Sequence, residues 1–390
     1  MKDFIPYGRQ DISQDDIEAV IKVLRSDWLT QGPLIPEFER KVASYCGAKY
    51  AVALSSATAA LHVSCLSMRL GKGDRLWTSP NTFVASSNCG LYCGAEVDFV
   101  DIDPRTFNIS IDALKEKLKL AEKNGLLPKI IVPVHFAGQS CLMDQLFDLS
   151  KKYGFKILED GAHAIGGTFE GSKIGSCKYS EATVFSFHPV KLVTTGEGGV
   201  IVTNNQELYD TAIRLRSHGI TRDQRFLADR NQGAWYYEQL DLGFHYRITD
   251  LQAGLGISQL ERLDIFVKHR QELASRYDKL LADFPLTTPW QHPLTKSPFH
   301  LYVVSLDLKK IGKSYGEVFS EMRNKGIGVN LHYMPVYLQP YYRELGFRPG
   351  YCSNAEEYFK KAITLPLYYG LTHELQDRVV KSLKEVICAK

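Results

Sequence analysis

Lys191 follows Ser186 by five positions in SFHPVK, between an apolar β-like run and the glycine-rich TTGEGG. A lysine there is either a solvated surface charge or an amine held for covalent chemistry. Asp160 closes the apolar run FKILED, with His163 three positions on. A carboxylate so placed could take a proton, bind a metal, pair with a cationic ring or cap a helix. In ALSSATAALH a strand runs into Ser55, Ser56, Ala57 and Thr58, and a helical pattern follows. Free N–H groups and small hydroxyls at a helix start suit a phosphate as well as they suit plain capping. Phe83, after the strand-like DRLWTSP, could stack on a flat ring or fill a core.

Each fragment has a bland reading, but together they fit one cofactor. Pyridoxal phosphate (PLP) carries an aldehyde for a lysine, a pyridine nitrogen for an acid, and a phosphate for hydroxyls and a helix start. A lysine acting as a base must be neutral, and its ordinary pKa is ~10.4. Lys191 is therefore expected to be buried, where desolvation lowers that value.

These residues need strand ends to hold them. From about residue 50, short apolar runs alternate with helical ones, among them AVALSS, DRLWTSP, VDFVDID, KIIVPVHF, FKILED, ATVFSF and GGVIVTN. That pattern predicts an α/β fold with a mostly parallel sheet between helices, which binds ligands beyond the carboxyl ends of its strands. Ser13 and Asp16 are spaced as a capping box, and Ile17, Val20, Ile21 and Leu24 share one face of the helix that follows. Residues 248–284 predict one long helix or two joined ones, with an apolar face of Leu251, Leu255, Leu260, Leu263 and Val267. HLYVVSLDL, a helix over GEVFSEMRNKG and a closing helix near 373–387 suggest a smaller α+β domain. The division is expected at 1–260, an N-terminal segment and large cofactor-binding domain, and 261–390.

Composition narrows the class. The 390 residues carry a net charge of +3 with acids and bases mixed, which gives no footprint for nucleic acid and no polybasic membrane patch. No apolar run approaches the ~20 residues of a membrane span, and MKDFIPYGRQDI lacks a signal-peptide core, so a cytoplasmic enzyme is expected. Cys89 and Cys93 have helical spacing for two metal ligands, but no second pair lies nearby and no metal is expected. No strand is followed by GxGxxG, which argues against a dinucleotide-binding dehydrogenase.

The stretches SSATAALH, SPNTFVAS, LEDGAHAIG, SFHPVK with TTGEGG, and RITDLQAGLG resemble the DegT/DnrJ/EryC1/StrS sugar aminotransferases, which are fold-type I PLP enzymes. The resemblance runs from YGRQDISQDD to HYMPVY and ITLPLYYGLT, nearly the whole chain. It implies a large domain with a seven-stranded-type sheet and a homodimer whose active sites borrow residues across the interface. Lys191 would hold the cofactor and move the substrate proton; Asp160 would keep the pyridine nitrogen protonated. His163 would lie beside the ring and Phe83 would stack on it. Ala57, Thr58 and Ser186 would hold the phosphate, and His332 with Thr30 and Arg247 would face the substrate. His245 stands where many relatives have an asparagine that reaches the partner subunit's cofactor phosphate.

LTQGP, SSATAALH and FSFHPVK further resemble the branch that makes the 4-amino precursor of pseudaminic acid. This implies amino transfer from L-glutamate to C4 of UDP-2-acetamido-2,6-dideoxy-β-L-arabino-hexos-4-ulose. Competing readings are a dTDP- or GDP-linked keto-sugar aminated at C4 or C3, and a regulatory homologue without catalysis. A sugar 3-dehydratase would have histidine in place of Lys191.

Overall fold

The computed structural model describes residues 4–388. Seven strands form the main sheet: β1 Tyr50–Leu54, β2 Arg75–Thr78, β3 Glu96–Phe99, β4 Ile130–Val132, β5 Lys156–Asp160, β6 Ala182–Ser186 and β7 Gly199–Thr203. Their order across the sheet is β1-β7-β6-β5-β4-β2-β3, and all neighbours are parallel except those of β7, which runs against both β1 and β6. The expected mostly parallel sheet is present.

Strand alternation buries both faces. Val52, Leu54, Ile130 and Ile201 enter one core, whereas Ala51, Ala53, Val200 and Val202 enter another with Phe38 and Phe187. Trp77, Ile131 and Ile157 pack into a third with the helices Ile111–Asn124 and Met143–Tyr153. Continuous apolar strands follow from this double burial.

Both β1 and β6 meet β7 at one residue. Leu54 and Ser186 are each in register with Gly199. A Cβ there would lie 2.4 Å from the amide nitrogen of Ala57 and the carbonyl carbon of Ser56. The missing side chain lets the start of helix α3 (Ala57–Ser67) rest on the start of β7.

The Ser13–Asp16 capping box forms on the helix Gln14–Leu24. The buried face of that helix is not its apolar row. Asp16 and Val23 are buried, while Ile17, Ile21 and Leu24 are exposed. Asp16 is drawn inward because Ser258, Gln259 and Arg262 all bond to its carboxyl. The long helical region is two helices, Asp250–Glu261 and Leu263–Leu280, joined at Arg262. The first packs through small residues, so Ala253, Gly254 and Gly256 are buried and the expected Leu251 and Leu255 are only half-buried. Close helix approach explains this: a Cβ on Gly254 would meet Val23 at 2.8 Å.

Toward the C-terminus, Tyr302–Leu306 pairs with Leu286–Thr287 and Ala362–Leu365 in a small antiparallel sheet. The helices Tyr315–Asn324 and His373–Ile387 contribute to its core, which also takes in Ile5.

Gly199→Ala tests the register. We expect a loss of about 1–3 kcal/mol, the usual cost of overpacking, with weakened PLP retention. Thermal unfolding and cofactor content after dialysis measure both.

Candidate active site

The parallel strands end at one edge of the sheet, and β7 begins there. A cavity of about 660 Å³ opens at this edge. Its wall includes Ala57, Thr58, Phe83, Asp160, His163, Ser186, Lys191 and His332. An open groove of about 720 Å³ beside Phe147, Lys156 and Tyr179 lies at the amino ends of the strands and holds none of them.

Lys191 sits on the hairpin loop between β6 and β7. The loop is closed by Phe187 N–H to Gly198 O at 2.9 Å and Thr195 N–H to Phe187 O at 3.0 Å. Lys191 N–H donates to His188 O at 2.9 Å, which turns the side chain into the cavity. The side chain is partly accessible from the cavity, but its amine is enclosed by protein. Burial pulls the amine down to about 8, against a weaker upward pull from Asp160.

Asp160 ends β5, and its backbone is held to the neighbouring chain by Asp160 N–H to Pro133 O at 2.9 Å and His135 N–H to Asp160 O at 3.1 Å. Its Oδ2 accepts from Ser86 Oγ at 2.6 Å and its Oδ1 from Ala162 N–H at 3.1 Å. Thr82 Oγ1 lies 2.6 Å from Ser86 Oγ. Because Ser86 gives its single hydroxyl proton to the carboxyl, Thr82 is the donor in that contact. Behind the site, His135 Nδ1 accepts from Cys141 N–H at 3.1 Å, so its Nε2–H donates to Glu159 Oε2 at 2.6 Å. Glu159 also accepts from Thr183 Oγ1 at 3.0 Å, tying β5 to β6.

At the other end, Ser56 Oγ caps Ala59 N–H at 3.1 Å, and the first bond of the helical series is Ala60 N–H to Ser56 O. The N–H groups of Ala57 and Thr58 precede that series, as the first N–H groups of any helix do. With the Ser186 hydroxyl, itself buried at the end of β6, they make a site for an anion.

Two buried imidazoles, His163 and His332, stand in the wall, and a third, His300, lies behind Lys191. His163 Nδ1 accepts from Ala137 N–H at 3.3 Å, and its Nε2 lies 3.3 Å from Tyr333 Oη. Burial, then the charge of Lys191, then His332 hold its pKa well below the imidazole range. His332 Nδ1 lies 2.8 Å from Thr364 Oγ1, and burial followed by Lys191 pushes it down to about 3. His300 was not foreseen, although its Nε2 is 3.5 Å from Lys191 Nζ. Ser86, which holds Asp160, was also missed. No spacing rule links either residue to its partner, since the contacts span 109 and 74 positions.

Phe83 stands on the cavity wall but is 59% exposed, on the loop before the helix Ala85–Tyr92. Thr30, His245 and Arg247 are not brought to the cavity of their own chain. Arg247 bridges to Leu54 on the outer side of β1, while Thr30 bridges to Thr249 and His245 to Ser217. Arg247 lines a separate pocket of about 380 Å³ with Glu39 and Arg216, and its buried Nε has no hydrogen-bond partner among the described residues. Arg247 is displaced because its segment pairs with the outer side of the edge strand β1; His245 lies on the same segment, and Thr30 is bridged to Thr249 just beyond it. Among the described residues no group of three or more His, Cys, Asp or Glu side chains is arranged to hold a metal ion. Cys89 is buried, with its thiol donating to Ser86 O at 3.3 Å. No described helix is long and apolar enough to cross a membrane.

An amine of lowered proton affinity, a carboxyl at the end of β5, and an anion site spanning α3 and β6 surround one cavity. These are the groups PLP requires, and the residues present fit it. Residues 10–384 match the DegT/DnrJ/EryC1/StrS aminotransferase family. The chain belongs to this family.

The chain is 37% identical to the spore coat polysaccharide biosynthesis protein SpsC of Bacillus subtilis, covering 98% of this chain and 97% of that protein. It is 36% identical to a UDP-4-amino-4,6-dideoxy-N-acetyl-β-L-altrosamine transaminase of Campylobacter jejuni, over 98% and 96% of the two chains. Among solved structures, PseC of Helicobacter pylori, an aminotransferase of pseudaminic acid biosynthesis, superposes with a TM-score of 0.89 at 30% identity, covering 99% of this chain and all of that one. The fold is thus that of the family's PLP enzymes, whose solved members include PLP- and PMP-bound forms. The protein is a PLP-dependent sugar aminotransferase.

The lysine carries a stability cost with a defined pH range. Folded Lys191 titrates at about 8 against 10.5 for an ordinary lysine, so between these values the unfolded chain binds more protons. Stability contributed at this site therefore rises with pH across that window. We expect Lys191→Met to raise the melting temperature of the cofactor-free protein at neutral pH, with the gain fading above pH 10.5. Thermal unfolding of both proteins across this range checks it.

Proposed function

We propose that this enzyme transfers the amino group of L-glutamate to C4 of UDP-2-acetamido-2,6-dideoxy-β-L-arabino-hexos-4-ulose, a step towards pseudaminic acid. The carrying observation is the near full-length similarity to the Campylobacter transaminase. The slightly greater identity to SpsC, a protein of spore coat polysaccharide biosynthesis, supports a second reading in which the sugar is a different one; that reading is amination of a dTDP- or GDP-linked keto-sugar at C4 or C3.

PLP, when bound, supplies an electron sink that stabilises negative charge at the amino acid's Cα. Lys191 would anchor it covalently and, once free, would carry the proton from Cα. Its lowered proton affinity supports this, because a base must be unprotonated at working pH. Asp160 would face the pyridine nitrogen and keep it protonated. Its existing donors, Ser86 and Ala162, fix its orientation and leave lone pairs for that third contact. Ala57, Thr58 and Ser186 would hold the phosphate, His163 would lie against the ring as a neutral imidazole, and Phe83, on the cavity wall, would stack on it. His332 faces the sugar nucleotide. Across a full cycle glutamate leaves as 2-oxoglutarate, and the sugar carbonyl oxygen leaves as water.

We further assign the working form as a homodimer, with residues 1–260 as the cofactor-binding unit and 261–390 as the smaller one. Two observations support the dimer. Ile17, Ile21, Leu24, Trp28 and Leu29 are exposed, an unusual run for a free surface. His245 and Arg247 lie away from their own cavity, as residues serving a partner's site would.

Two experiments test these assignments. Enzyme converted by L-glutamate to its amine form, freed of donor and mixed with a panel of keto-sugar nucleotides, should return to the lysine-linked spectrum with the UDP-linked L-arabino 4-ulose. Return only with another sugar would move the assignment to the second reading. Lys191→Ala and His245→Ala should each be impaired alone, yet regain activity when mixed and allowed to exchange subunits, because a mixed dimer rebuilds one complete site. No recovery despite exchange would remove His245 from the partner's site.

A further inference from the structure

His300 belongs to the C-terminal part of the chain but reaches the lysine on the β6–β7 loop. Its ring is buried, with Nε2 3.5 Å from Lys191 Nζ. The imidazole packs on that of His163 with centroids 4.5 Å apart. Its backbone is held from behind by buried Arg270, whose Nη1 donates to Leu367 O at 2.8 Å, Phe299 O at 3.3 Å and His300 O at 3.4 Å. Nδ1 is buried and has no hydrogen-bond partner among the described residues. The ring's orientation is thus set by packing and by the clamp on its backbone, and its one polar contact is the lysine.

We propose that His300 is a positioning residue for Lys191: its Nε2 accepts a hydrogen bond from the lysine amine whenever that amine is not attached to the cofactor. This rests on the PLP-dependent reading of the site but not on any choice of sugar.

An amine bears N–H groups whether or not it is protonated, so an acceptor at Nε2 holds it in both states. The charged or titratable groups facing this pair are Asp160, His163, His332 and Arg270. Burial first, then Lys191, His163 and Arg270, keep His300 neutral. A carboxylate in its place would favour the ammonium and remove the base. A neutral acceptor orients the amine without that penalty. It also competes with Asp160, whose carboxyl would otherwise draw the free lysine towards the place of the pyridine nitrogen.

The test uses the full-length cofactor-free protein and PLP alone, without glutamate or sugar. Absorbance follows covalent attachment to Lys191, and dialysis after borohydride-free mixing reports retention. We expect His300→Phe to slow attachment about tenfold while retaining a native melting curve, the scale of one lost hydrogen bond. His300→Gln, which restores an acceptor near the Nε2 position, should come within about threefold of the parent. Attachment at the parental rate in His300→Phe, or equal slowing in both variants, would overturn the proposal. Should His300→Phe not fold, His300→Ala with added imidazole decides it: faster attachment with imidazole supports the role, and no response refutes it. In the parent enzyme, normal PLP attachment without sugar amination would overturn the substrate assignment and leave this proposal standing.

Discussion

The site depends on the packing of α3 against the start of β7. Gly199 is opposite both Leu54 and Ser186, so one residue sets the relative height of the strands that deliver the anion site. The backbone of Ser56 and Ala57 occupies the volume where a side chain would stand. Because β7 runs against its neighbours, the hairpin that enters it from β6 returns on the same edge, and Lys191 is carried over the cavity instead of away from it. Ser186, Lys191 and the α3 N–H groups are therefore positioned by one local geometry, while Asp160 is added by the parallel neighbour β5.

Around this frame the electrostatics are sparse. The carboxyls of Asp160 and Glu197 and the amine of Lys191 border the cavity, with His163 and His332 as uncharged spacers in its wall and neutral His300 behind Lys191. Desolvation outweighs the pull of Asp160 on Lys191, which places the amine near its working range without a neighbouring cation. Polar groups behind the wall are satisfied in chains, Thr82 to Ser86 to Asp160 and Cys141 to His135 to Glu159, so the strand ends are pinned where chemistry needs them fixed.

Much of this was legible in the sequence. Strand ends at Leu54, Asp160 and Ser186 could be read from apolar runs that stop at small or polar residues, and Lys191 from its distance to Ser186. Helix faces were less legible. The row Ile17, Ile21 and Leu24 has helical periodicity but faces outward, and the helix after Thr249 buries glycine and alanine where leucine was expected. Periodicity reports an apolar stripe, not what covers it. His300 and Ser86 were invisible because their partners are distant in sequence, and Thr30, His245 and Arg247 keep their family spacing without reaching their own cavity. Spacing along a chain cannot say which subunit's site a residue serves.

The antiparallel strand has a consequence for how the protein is made. Among the described residues β1 is an edge strand with β7 as its one neighbour in the sheet, and Tyr50 pairs with Thr203. During synthesis the first strand of the sheet therefore emerges long before the strand that can hold it. Until β7 leaves the ribosome, β1 has no ladder partner and α3 has no floor, although β2, β4 and β5 can already assemble among themselves. Closing so long a loop is entropically late and kinetically slow. Cofactor capture is thereby deferred until the chain has passed Thr203, and a nascent chain interrupted between Lys191 and Gly199 carries Asp160, Ser186 and Lys191 but lacks the strand on which α3 completes the phosphate cradle.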